Sequence, residues 1–106
     1  MITIEQFKSM ELRVGRIISV TEHPNADRPY VVEVDLGAER RTLVAGIRKF
    51  YTPEQLMGKL VIVVANLEPA TIRGVISSGM LLAAQDGERL SVLTVDALLQ
   101  VGSLVA

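Results

Sequence analysis

The stretch "LVIVVANL", Leu60–Leu67, constrains the fold more than any other part of the chain. It is a continuous apolar run of strand length, so it reads as a strand buried on both faces. The segments around it alternate instead. In "ELRVGRIISVTEH" (Glu11–His23) the pattern at Leu12, Val14, Ile18 and Val20 predicts a long strand, with Gly15 as a bulge or sharp coil. "YVVEVDLG" sets Tyr30, Val32, Val34 and Leu36 on one face and Val31, Glu33 and Asp35 on the other. "GAER" reverses the chain into "RTLVAGI". "MLLAAQ" and "LSVLTV" read as a hairpin around Asp86-Gly87, a favoured turn dipeptide, and "LLQVGSLVA" adds one more strand-like piece. "HPNADRP" (His23–Pro29) is dense in turn formers and reads as a loop, and "EPATIRGVISSG" as a polar connection.

Two short helices complete the list. Thr3 and Gln6 have capping-box spacing at the head of a helix over Thr3–Met10, where Ile4 and Phe7 share a face. Thr52, Pro53 and Gln55 supply an N-cap, a first helical residue and the capping partner of a second, and Gly58 fits just past its end. This second helix follows roughly three strands. Five strands with a helix between the third and fourth describe an oligonucleotide/oligosaccharide-binding (OB) barrel. The expected fold is therefore all-β: a five-stranded OB-fold Greek-key barrel with short helices and a C-terminal strand extension.

Composition sets the outer limits. The 106 residues suit one domain, residues 1–106, and 49% hydrophobic against 22% charged residues argue against disorder. A chain of this size buries only about 60–65% of its unfolded surface. With a mean hydropathy of +0.36, apolar surface is left over, and a homodimer is its simplest outlet. The net charge of −1 and pI near 5.8 lack the basic excess common in nucleic-acid binders, but leave room for a local basic patch. There is no cysteine, which removes disulfides and thiolate chemistry and fits a reducing cytoplasm. No apolar run approaches the ~20 residues that span a membrane, and "MITIEQFKSM" has no signal-peptide core.

Catalytic and metal-binding signals are weak. His23 is the one histidine, so neither a metal pair nor a thiolate partner is available, and its loop setting favours a structural role. No Gly-rich phosphate loop or nucleophile elbow occurs. Glu33 and Asp35 share a strand face, which more often means a solvated face than an acid–base pair. The reading leans to a binding module with no catalytic residues, metal or cofactor. Arg13, Arg16, Arg28, Arg40, Arg41, Arg48, Lys49, Lys59 and Arg73 could converge on one barrel face, although spacing alone favours plain surface charge. The only aromatics are Phe7, Tyr30, Phe50 and Tyr51. These are too few for a base-stacking platform, so any RNA contact falls to shape, phosphate and 2′-hydroxyl groups. In "SSGM", Gly79 permits close backbone approach, Ser77 and Ser78 offer hydrogen bonds, and Met80 offers a soft apolar contact. On residue chemistry alone, a tight turn with Met80 entering the core is the stronger reading.

The order of motifs resembles the tRNA-binding OB-fold family. That family includes the C-terminal domain of methionyl-tRNA synthetases, their beta-like proteins, free-standing structure-specific tRNA-binding proteins and CsaA-like proteins. The resemblance rests on "LRVGRI", "HPNAD", "VDLG", "RTLVAGI", "ANLEPATIRG" and "SSGMLLAA", in order over nearly the whole chain. It implies a dimeric, non-catalytic module that grips folded tRNA by shape and backbone and serves as an accessory to a synthetase. By matching position it implies RNA contact at Asn66, Arg73, Ser77, Gly79 and Met80, with Ser78 in the same motif and Arg13 and Arg41 as recurrent basic positions. The family often carries an acidic or amide residue where this chain has Ser78, and Lys near the positions of Glu68 and Thr71. Missing those lysines implies weaker phosphate attraction. A CsaA-like chaperone or protein-interaction module is the alternative, and an enzyme using His23 a distant third.

Overall fold

The computed structural model describes residues 1–106. The apolar run forms β4 (Leu60–Val64) beside β1 (Leu12–Glu22), and it lacks alternation because both its faces are covered. Val61, Val63 and Ala65 enter the main core. Ile62 and Val64 join Leu12 and Val14 in a second cluster, beneath Phe7, Leu82, Val95 and Val105. The ladder continues antiparallel through β2 (Tyr30–Asp35) and β3 (Arg40–Ala45) on one side and β7 (Met80–Leu81) on the other, in the order β3-β2-β1-β4-β7. β10 (Leu104–Val105) extends it by pairing with the start of β1.

The sheet then curls almost onto itself. The free edge of β3 meets the segment before β7, where the Ser78 N–H donates to the Thr42 carbonyl at 2.8 Å and the Val44 N–H to Ser77 Oγ at 2.9 Å. Curling encloses Ile17, Val32, Val34, Leu43, Val61 and Val63, all with essentially no exposure. The result is an all-β, OB-fold-like barrel of five principal strands with a C-terminal strand extension, as the element order predicts. The helices are α1 (Ile4–Lys8) and α2 (Pro53–Leu56), each opened by a complete capping box, from Thr3/Gln6 and Thr52/Gln55. α2 lies between β3 and β4 and buries Leu56 in the core.

Three local expectations need correction. The irregularity in β1 falls between Ile17 and Ser19 rather than at Gly15. It flips strand parity, so Ile17 and Val20 both reach the main core while Ile18 stays half-buried. Gly15 serves packing: a Cβ there would stand 3.0 Å from Leu36 Cδ2. The expected polar connection contains a two-stranded ribbon, β5 (Ala70–Ile72) and β6 (Val75–Ser77). "MLLAAQ" divides at Leu82 into β7 and β8 (Ala83–Asp86), and β8 pairs with β9 (Arg89–Val92). Asp86 faces Arg89 in that hairpin, which makes Gly87-Glu88 the turn, with Gly87 at φ +60°.

Candidate nucleic-acid interface

The β5–β6 ribbon stands at the barrel seam with every residue of β5 exposed. At its tip, Arg73 and Gly74 both have positive φ, +51° and +87°. Two such residues make a type I′ turn, whose first position suits Asn, Asp or Gly far better than Arg. Across from the tip is the loop of residues 23–29. His23, only 4% exposed, places Nε2 2.8 Å from the Ile72 carbonyl and accepts the Asn25 N–H at Nδ1 over 2.9 Å. A ring that accepts at Nδ1 and faces a carbonyl at Nε2 carries its proton on Nε2. Asn25 Nδ2 donates to the Arg73 carbonyl at 3.1 Å. The histidine thus has a structural post, and no group of three metal-capable side chains occurs in the molecule.

The eight residues implicated by the sequence separate into two groups. Five act within the chain. Ser77 is 4% exposed, and its hydroxyl accepts from Val44 N–H and donates to the Gly79 carbonyl at 3.0 Å. Gly79 is buried at φ +136°, and a Cβ would lie 2.9 Å from the Val64 carbonyl oxygen. Its missing side chain serves the seam, where the sequence suggested an open approach for a partner. Asn66 accepts the Glu11 N–H at 2.8 Å and donates to the Ser9 carbonyl at 2.7 Å, tying α1 to the end of β4. Arg13 bonds Glu11 and the Gly102 carbonyl, which anchors the C-terminal segment. Arg41 bonds Glu39 and reaches the carbonyls of Ala65 and Ser78, which braces the seam.

The other three make no side-chain bond within the chain: Arg73 and Met80 are exposed and Ser78 is half-buried, while Asn66, though bonded, is exposed as well. Met80 is 48% exposed and does not enter the core. Ser78 borders an open cleft with Arg40, Arg41, Thr42, Asn66 and Glu68. Arg73 shares a concavity with Asn25, Asp27 and Arg28, and Arg28 also borders the adjoining one with Lys49 and Phe50. Arg28, Lys49 and Arg73 are exposed and have no carboxylate within 4 Å, unlike Arg13, Arg41 and Arg48. They form a contiguous basic arc, with Asp27 as the one carboxylate lining it. In the sequence, nothing distinguishes Arg28 and Lys49 from the other basic residues that could converge. No spacing rule joins positions 28, 49 and 73, because only the folded loops bring them together.

The chain is similar to known proteins over nearly its whole length. The family model described as "Putative tRNA binding domain" matches residues 12–104. The chain is 53% identical over 104 residues to a methionine–tRNA ligase of Pyrococcus furiosus, covering 98% of this chain and 14% of that enzyme. It is 45% identical over 105 residues to the corresponding ligase of Thermotoga maritima, covering 99% and 17%. The chain therefore spans a small part of the curated relatives it matches. Among solved structures, a MetRS-related protein from Pyrococcus horikoshii superposes with a TM-score of 0.93 at 31% identity, over 100% of this chain and 98% of the other. The CsaA chaperone protein from Picrophilus torridus superposes with a TM-score of 0.93 at 29% identity, over 100% of both chains. A match through nearly the whole barrel, together with homology to methionine–tRNA ligases, shows that the chain belongs to the tRNA-binding domain family.

Proposed function

We propose that this domain binds folded tRNA by shape and backbone, without catalysis, through the face bounded by the 23–29 loop and the β5–β6 ribbon. The observation that carries this reading is the distribution of charge. Arginines bonded to carbonyls and carboxylates maintain the fold, whereas Arg28, Lys49 and Arg73 project together with no anion paired to them. In an OB barrel, the loops that flank this arc border the face used for oligonucleotides. The seam residues Ser77, Gly79, Asn66, Arg13 and Arg41 shape that face from within. Arg73, Ser78 and Met80, with Arg28 and Lys49, are the proposed contacts.

Homology to methionine–tRNA ligases supports a role in supplying tRNA to such an enzyme, as an accessory in the cytoplasm. A tethered or docked module raises the effective concentration of RNA at the catalytic site, so modest intrinsic affinity suffices. Homodimerisation is part of the proposal. Leu98 and Leu104 are 82% and 69% exposed, more than a lone domain needs to leave in water. A titration of folded tRNA against Arg28→Ala, Lys49→Ala and Arg73→Ala over a salt series tests the site. Each variant is expected to bind more weakly and to lower the salt slope by about 1.

The same exposed leucines and the CsaA likeness favour one second reading, a chaperone-like module that holds apolar segments of other proteins. It predicts suppression of client aggregation that is insensitive to both salt and added tRNA. Competition by tRNA would contradict it.

A further inference from the structure

The backbone of Arg73 is the least comfortable in the molecule. It is the sole non-glycine residue with positive φ, at +51°. A side chain there is disfavoured, and Asn or Gly would relieve the turn. Such outliers persist where surrounding structure holds them and the residue is wanted for something else. What holds this one can be read directly. The β5–β6 ribbon has three residues per strand and little core of its own, since Ser77 is its only buried residue. Ribbons of that size are marginal without support. Its root is fastened to β3 through Ser77 and Ser78. Its tip is fastened by two side-chain bonds from the 23–29 loop, His23 Nε2 to the Ile72 carbonyl and Asn25 Nδ2 to the Arg73 carbonyl. Both bonds end on the backbone at or beside the strained residue.

We infer that His23 and Asn25 are positioning residues for RNA binding: they clamp the ribbon tip so that the Arg73 guanidinium is presented beside Arg28. This rests on the proposed RNA role of Arg73. The two residues form one unit, because His23 accepts the Asn25 N–H and so orients the asparagine that holds Arg73. Asn25, Arg28 and Arg73 line the same concavity, which puts the clamp inside the basic arc rather than behind it. A free ribbon tip would sample many orientations, and binding would then carry the cost of ordering it. Two loops distant in sequence thereby work as a single preorganised anion-facing edge.

A double-mutant cycle on the full chain, with folded tRNA as ligand, tests this. Arg73→Ala is expected to weaken binding about tenfold. Asn25→Ala, which leaves every positive charge in place, is expected to weaken it about threefold or more. In the Arg73→Ala background, Asn25→Ala should cost nothing further, because the clamp acts through the arginine. Arg73→Asn separates function from structure. It suits the type I′ turn, so the melting temperature should rise while affinity falls. Wild-type affinity in Asn25→Ala alongside a weakened Arg73→Ala overturns the clamp and leaves the RNA site standing. Additive losses in the double mutant also overturn it. Wild-type affinity in Arg73→Ala overturns the site itself. His23→Ala, compared by melting temperature and by affinity well below its transition, extends the same test to the histidine, where loss of stability with unchanged affinity contradicts a positioning role.

Discussion

The Ser77 hydroxyl joins Val44 to Gly79 across the seam, and removing it leaves a part-buried N–H without a partner. Ser77→Ala is expected to lose about 1–3 kcal/mol of stability, visible as a lower melting temperature in thermal denaturation. Gly79→Ala should be worse, because it adds a Cβ 2.9 Å from the Val64 carbonyl at a φ of +136°. The family motif at "SSGM" is thus partly a closure device. Residue type alone does not separate a hydroxyl that bonds its own chain from one that meets RNA, and Ser77 and Ser78 lie side by side with different fates. Asn66 and Arg41 make the same point, since their polar groups are committed to carbonyls and N–H groups remote in sequence.

Strands and helices were legible wherever burial leaves a period. The clean alternation of β2, the unbroken apolar β4 and the two capping boxes all appear where the sequence predicts them. The β5–β6 ribbon was not legible, because a mostly exposed ribbon has no apolar face to betray it. The shift at Ile18 was hidden as well. A bulge changes which residues face inward without changing their composition, and adjacent isoleucines at 17 and 18 read the same in either parity. α2 supplies an element-scale test. Leu56 is fully buried in the main core, so Leu56→Ala should cost about 2–5 kcal/mol. Chemical denaturation measures this. A cost near zero would mean that α2 contributes little to closing the barrel.

At the scale of the whole molecule, the fold reconciles the proposed RNA-binding surface with a net charge of −1. Internal bonding occupies several arginines, while Arg28 and Arg73, exposed and unpaired, meet Lys49 where the loops converge, and Arg40 stands exposed at the neighbouring cleft. Affinity depends on such local placement more than on net charge. Leu98 and Leu104 of the C-terminal segment are exposed, and sedimentation should find a dimer that Leu98→Asp with Leu104→Asp converts to monomer. A wild-type monomer at all concentrations would remove dimerisation from the account. Recognition of folded tRNA by the basic arc is tested most directly by binding of folded tRNA beside an unstructured RNA of equal length, across a salt series. Tighter binding of the folded RNA is expected, with a salt slope that falls when Arg28, Lys49 or Arg73 is replaced by alanine. Equal, salt-insensitive binding to both RNAs, or no binding to either, would contradict it.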